Sequence, residues 1–146
     1  MRVTIRPLAA ADKAAWLPLW KGYVGFHQTS LADEITERTW QRLLDEGSSL
    51  FCRLAEADGD VVGFAVCVLH EGSWVTAPIC YLEDLFVAET ARGKGIARQL
   101  INTIMEEARR EGCSRLYWHT ARNNPARKLY DEFAPADEYV RYRMAL

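Results

Sequence analysis

The sequence predicts a mixed α/β sheet, and three observations carry that prediction. Its middle third holds two strand-like runs, "SLFCRLAEA" and "DVVGFAVCVLH", joined by Asp58-Gly59, the signal of an antiparallel hairpin. The part after residue 79 reads strand, helix, strand, helix, strand, the layout of an α/β half. Residues 1–146 are 49% apolar with five Trp and six Tyr, enough for the core of one domain.

The elements follow in order. "RVTIRPL" alternates and is expected to be the first strand. Residues 9–26 read as a helix, with Trp16, Leu19, Trp20 and Tyr23 at three- and four-residue spacing. Pro18 and Gly22 are expected to make it irregular or to split it. "HQTSLADE" is a polar connection whose Asp33 suits the cap of a second helix, "EITERTWQRLLDEG", stopped at Gly47. "SLFCRLAEA" and "DVVGFAVCVLH" form the hairpin, and "GSWVTAP" is a loop. "ICYLEDLFV" is the next strand. In "IARQLINTIMEEARREG" apolar residues recur at Ile96, Leu100, Ile104 and Ala108, so a helix runs there until Gly112. "SRLYWHT" is a strand, "NPARKLYDEF" a short helix and "EYVRYRMAL" a closing strand.

Composition narrows the function. A net charge of -2 argues against a nucleic-acid binder working through a broad basic surface. Cys52, Cys67, Cys80 and Cys113 show no C-x-x-C spacing, so reduced thiols are expected rather than a disulfide framework. His27, His70 and His119 lack ligand spacing, and no metal is expected. The first 16 residues carry charges where a signal peptide needs an apolar stretch, and no run reaches membrane-spanning length. The expectation is a soluble cytoplasmic protein.

The run Arg92-Gly93-Lys94-Gly95-Ile96-Ala97 joins a strand to a helix. Glycines let backbone N–H groups turn toward a ligand, and a helix N-terminus adds free donors and the positive end of the macrodipole. Together with Arg92 and Lys94 these features suit a phosphate or pyrophosphate. A P-loop would need Ser or Thr where Gly95 stands, and a dinucleotide fingerprint would need glycine at Arg98.

"RGKGIA" matches the R/Q-x-x-G-x-G/A signature of the GNAT superfamily of acetyl-CoA-dependent N-acetyltransferases. "YLEDLFV" before it resembles the fourth strand of the diamine (spermidine/spermine) and the histone-and-polyamine acetyltransferases. "NNPARKLYDEF" after it fits N-x-x-A-x-x-x-Y from Asn123 to Tyr130. The resemblance covers residues 80–133. It implies a mostly antiparallel, twisted sheet of six or seven strands, splayed between strands 4 and 5, with about four helices. It also implies acetyl-CoA as co-substrate, its pyrophosphate on the amides of Arg92, Gly93, Lys94, Gly95, Ile96 and Ala97. Its pantetheine arm would pair with the backbone of Leu85, Phe86 and Val87, near a bulge. Asn123 would contact that arm or hold the splay, and Tyr130 would protonate the leaving thiolate. Relatives often pair through strand edges, so a homodimer is expected. The family's Gly-Phe turn after the tyrosine is missing, because "YDEFAPADEYV" has no glycine.

Amine acetylation needs a neutral amine, and at a pKa of ~10 only about one alkyl amine in a thousand is neutral at pH 7. A carboxylate that takes the proton removes that handicap. Glu83 and Asp84 are neighbours on a strand, which predicts opposite faces and only one in the cleft. The resemblance favours Glu83 as base through a water, with Asp84 as substrate anchor or structural partner. The plainer alternative is a pair of ordinary strand carboxylates. No Cys or Ser is paired with a base, so direct transfer is expected rather than an acetyl-enzyme.

Trp20, Tyr23 and Glu34, with other aromatics and acids of the first helices, could form an ammonium-binding wall, although a buried stripe explains most of the aromatics. Three functions follow: acetylation of a small polyamine-like or amino compound, acetylation of a protein lysine or N-terminus, or a non-catalytic acyl-CoA-binding module. Glu83 and Tyr130 argue against the third, since a binding module needs neither base nor acid.

Overall fold

A computed structural model describes every residue from Met1 to Leu146. Strand β1 (Val3–Pro7) leads through a short 3-10 turn to α1 (Lys13–Phe26) and α2 (Asp33–Leu44). Strands β2 (Leu50–Ala57), β3 (Asp60–His70) and β4 (Ile79–Val87) follow, then α3 (Ile96–Arg110), β5 (Arg115–Tyr117) and α4 (Arg127–Phe133). The sheet order is β1-β2-β3-β4-β5, antiparallel except for the parallel β4–β5 pair. The β2–β3 turn has Asp58 at φ 51° and Gly59 at φ 90°, the mirror-image turn that matches strand twist.

Strand alternation sends the sheet's side chains into two cores. Cys52, Leu54, Phe64 and Val66 pack with Trp16, Trp20, Trp40 and Leu43 of α1 and α2. Ala55, Ala57, Ala65 and Cys67 pack with Ile96, Leu100, Ile101 and Ile104 of α3, joined by Leu129, Tyr130 and Phe133 of α4. The sheet is thus covered by helices on both faces. Arg53 on β2 clamps Glu107 of α3 at 2.8 Å and fixes one layer to the other.

Several expectations need correction. The sheet has five strands, not six or seven. Residues 138–146, expected as a closing strand, pair with no strand and are exposed throughout, since β5 is only three residues long. A strand exists only where its N–H and C=O groups find a ladder. Helix α1 runs unbroken through Pro18. Gly22 earns its place by contact: a Cβ there would meet the Phe86 ring at 3.3 Å, so glycine lets α1 lie close to β4. Ala32, not Asp33, occupies the cap of α2, and Asp33 instead opens the first turn, where it complements the helix dipole.

β4 and β5 pair only at Ile79–Tyr81 with Arg115–Tyr117. From Leu82 to Val87 the edge of β4 on that side has no strand partner. This opening is the splay, and it leads toward the glycine loop.

Candidate active site

A bulge in β4 organises the site. Cys80 and Leu82 face the α3 core, and strict alternation would send residues 84 and 86 there too. Phe86 packs in the α1 core instead. The register explains why: Leu82 is opposite Cys67 and Asp84 is opposite Val66, so Glu83 is one residue too many. Such an insertion bends the strand and re-aims its side chains. Glu83 and Asp84 consequently line the same cleft, and the expectation that only one could face it is overturned.

That cleft encloses about 320 Å³ between β4, α1 and α2, and Trp20, Tyr23, His27, Thr39 and Arg42 also border it. The Tyr23 hydroxyl donates to Asp84 Oδ1 at 2.6 Å. Burial pushes the Asp84 carboxyl up to about 6; the Tyr23 bond pulls the other way and the neighbouring Glu83 charge adds to the rise. Burial and the Asp84 carboxylate hold the Tyr23 phenol far above its ordinary range. Glu83 is exposed at the cleft and makes no side-chain hydrogen bond. Trp20 belongs mostly to the core, stacked on Trp16 at 5.3 Å, and shows the cleft one edge.

Glu34 is not part of this wall. It is exposed and borders neither cleft, because α2 turns Thr39, Trp40 and Leu43 inward and leaves Glu34 on its solvent side.

A second cleft of about 240 Å³ lies where the glycine loop enters α3. Val87, Arg92, Gly93, Gly95, Ile96 and Ala97 line it, with Leu129 from α4. Gly93 and Gly95 have φ of 76° and 79°, a region that costs a side-chain-bearing residue ~1–2 kcal/mol. Nothing stands within 4 Å of where their Cβ atoms would be. Gln99 N donating to Gly95 O is the first backbone bond of the helix, so the amides from Gly93 to Arg98 have no backbone acceptor, whereas the Arg92 amide, expected among the free donors, donates to Glu89 O at 3.3 Å. These free donors at a helix mouth are what an anion requires. Arg92 folds inward, its Nε donating to Val87 O at 2.9 Å and its guanidinium 5.4 Å from the Phe86 ring centroid. Lys94 is exposed at the loop apex and lies outside the lining.

The two clefts share β4. Val87 is three residues beyond Asp84, a rise of about 10 Å. Leu85 and Phe86 lie between them on the unpaired stretch, Leu85 toward the α3 core and Phe86 toward the α1 core. Tyr130 borders neither cleft directly, although its neighbour Leu129 does. Its ring packs on Trp118 at 5.7 Å, its hydroxyl has no hydrogen-bond partner, and desolvation pushes its pKa up, which keeps the hydroxyl protonated at neutral pH. Asn123 is exposed and makes no side-chain bond, whereas Asn124 accepts from Ala126 N at 2.9 Å and donates to Thr120 at 2.8 Å. That closes the turn into α4.

Sequence reasoning missed Arg42, Thr39 and His27 as cleft residues. One signal was available: on α2, Thr39 and Arg42 flank the inward Trp40 and Leu43 at helical spacing, so Arg42 borders the buried stripe. No group of three or more His, Cys, Asp or Glu side chains comes together to hold a metal. No helix is long and apolar enough to cross a membrane.

The model of the acetyltransferase (GNAT) family matches residues 14–134. The chain is 34% identical to the D-amino-acid N-acetyltransferase HPA3 of Saccharomyces cerevisiae over 97% of its length and 90% of that protein. Among solved structures it resembles the ribosomal-protein-alanine N-acetyltransferase of Brucella melitensis, at TM-score 0.80 and 25% identity, over 99% of this chain and 100% of the other. It also shares its fold with AAC(6')-Iy, solved with a bisubstrate analogue of CoA and acetylneamine, at TM-score 0.82 and 22% identity, each chain fully covered.

Proposed function

Because this chain belongs to the acetyltransferase (GNAT) family of N-acetyltransferases, we propose that it moves an acetyl group from acetyl-CoA directly to the primary amine of a small amino compound. The observation that carries this reading is the pair of cleft carboxylates, Glu83 and Asp84, set on the strand that leads into a mouth of free amides. A volume near 320 Å³ is at the small end of ligand sites, which span about 300–1,000 Å³, and favours a small acceptor over a folded protein.

The residues fit the co-substrate. The amides from Gly93 to Arg98, with open space where glycine lacks a Cβ, would take the diphosphate, and the unpaired stretch from Leu85 to Val87 would take the pantetheine arm as an added strand. Bound there, acetyl-CoA supplies an activated thioester. Glu83 takes the ammonium proton through cleft water, leaving the nitrogen lone pair free to attack. Asp84, steadied by Tyr23, holds the positive end of the acceptor. A backbone N–H of the open β4 edge stabilises charge at the carbonyl oxygen. Tyr130 donates a proton at the departing sulfur. Within the family, "YLEDLFV" supports an acceptor like those of the diamine and histone-and-polyamine enzymes. The relative named for D-amino acids supports a small amino compound more broadly. Four free thiols suit a cytoplasmic setting, and the exposed segment after residue 138 suits pairing of two copies.

The test is thiol release from acetyl-CoA across amino acids, polyamines, aminoglycosides and lysine peptides. Release with a small amine is expected; release only with peptides would transfer the activity to proteins, and none at all would end the reading. Tyr130→Phe should lower kcat by roughly tenfold to a hundredfold, toward the low end for an acid catalyst because a thiolate leaves readily unaided. Acetyl-CoA affinity should hold, and an unchanged kcat would remove the acid role. Gly95→Val should raise the KM for acetyl-CoA by roughly tenfold, since the αL strain of ~1–2 kcal/mol and a branched side chain both act at the anion mouth. An unchanged KM would move the diphosphate elsewhere.

A further inference from the structure

The cleft that holds Glu83 and Asp84 also holds a cation without an anion. Arg42 of α2 borders it yet takes part in none of the molecule's salt bridges. Its Nη2 reaches Thr39 Oγ1 at 3.4 Å, a distance at the limit of a hydrogen bond. Its Nε is shut off from solvent and has no partner. A guanidinium carries five donors in a planar fork shaped for a carboxylate, and a cation drawn partly out of water without a counter-charge is costly. Neither cleft carboxylate fills that place: both lie beyond ion-pair distance, and Asp84 is engaged by Tyr23. The cleft is therefore polarised, with two carboxylates on the β4 wall and a lone cation on the α2 wall.

We infer that Arg42 binds the α-carboxylate of a free amino acid, whose ammonium group meets Glu83 and Asp84. This deepens the acetyltransferase reading and rests on it. A zwitterion answers both walls within one small volume. A polyamine would bring only positive charge and leave Arg42 repelled. The N-terminus of a protein carries a neutral amide where the amino acid carries its carboxylate, so it too would leave the guanidinium unpaired. Arg42 is thus a specificity residue for the acceptor and takes no part in proton transfer.

The test compares kcat/KM, by thiol release from acetyl-CoA, for two sets of acceptors that differ only in the carboxylate. Phenylalanine, in both enantiomers, is set against phenylalanine amide and phenethylamine, and leucine against leucine amide and isopentylamine. The wild-type protein should favour the amino acid of one hand over its decarboxylated partner by roughly 10- to 100-fold, the effect of one charge-assisted, forked contact. Arg42→Gln should collapse that ratio by a similar factor, and Arg42→Lys should keep part of it as a point charge. Thermal melting and acetyl-CoA binding verify that each variant is folded; if Arg42→Gln is not, Arg42→Lys and the wild-type ratios still decide. Equal kcat/KM for phenethylamine and phenylalanine, or a ratio unmoved in a folded variant, overturns this inference alone. Absence of thiol release with every amine overturns the acetyltransferase reading along with it.

Discussion

Glu83→Gln is expected to lower kcat at pH 7 by about 10²- to 10⁴-fold, the range a positioned general base contributes. Glutamine keeps the length of the side chain, and so the bulge that aims it, while removing the proton acceptor. Without that acceptor the enzyme must wait for an amine that is already neutral. With an amine pKa of ~10, that fraction is about one in a thousand at pH 7 and grows about tenfold with each pH unit. The variant's rate should therefore climb with that slope from pH 7 to pH 9, where the wild-type protein should be nearly flat. A pH–rate profile of both proteins checks this. A variant profile parallel to the wild type would make Glu83 a positioning group, and the exposed carboxylate would lose its claim to the proton. The choice of Glu83 over Asp84 follows from their surroundings: Glu83 is open to water and bonded to nothing, whereas Asp84 is tied to the Tyr23 hydroxyl.

What could be read from the sequence divides along a physical line. Local signals survived folding. The Asp58-Gly59 turn, the apolar spacing of α3 and the glycine loop each depend on residues near one another in the chain, and each stands where the pattern put it. Signals that depend on a distant partner were hidden. The bulge at Glu83 exists only in the register of β4 against β3, so counting alternation along β4 alone put the two carboxylates on opposite faces. Residues 138–146 read as a closing strand, but a ladder needs a neighbour, and three-residue β5 is not one. Arg42 is a third case. Its meaning comes from the carboxylates across the cleft, which belong to a strand some forty residues later. Half of the site was thus visible as motif, and the acceptor half was visible only as geometry.

Asp84→Asn should make the protein more stable and nearly inactive. The Asp84 carboxyl sits at about 6 in the folded chain against an ordinary value of 3.8, so the folded state binds its proton more tightly than the unfolded state does. The sign follows: the folded state is favoured by this group below pH 3.8, and that advantage is lost as pH rises through about 6. At pH 7 the buried charge is a net cost of at most ~3 kcal/mol at ~1.4 kcal/mol per pH unit, trimmed to roughly 1–2 kcal/mol by water at the half-open cleft. Asparagine removes the charge and can still accept from the Tyr23 hydroxyl, so its melting temperature at pH 7 should exceed the wild type's by about 3–8 °C. The difference between the two proteins should shrink as pH falls from 7 to 4, because the wild-type carboxyl then becomes neutral too. Activity should move oppositely. Losing the buried partner of an ammonium group costs ~2–5 kcal/mol, so kcat/KM should drop roughly 30- to 5,000-fold. In the wild type the same titration should appear as an acidic limb in kcat/KM near pH 6. Tyr23→Phe removes the bond that holds the Asp84 pKa down, and it should shift that limb to higher pH. A variant Asp84→Asn that melts lower than the wild type at pH 7, or a limb that Tyr23→Phe leaves in place, would mean that Asp84 is not the strained, proton-hungry anchor that its burial makes it. A more stable, nearly inactive Asp84→Asn would place charge at that site for binding rather than packing, because packing alone favours the neutral residue.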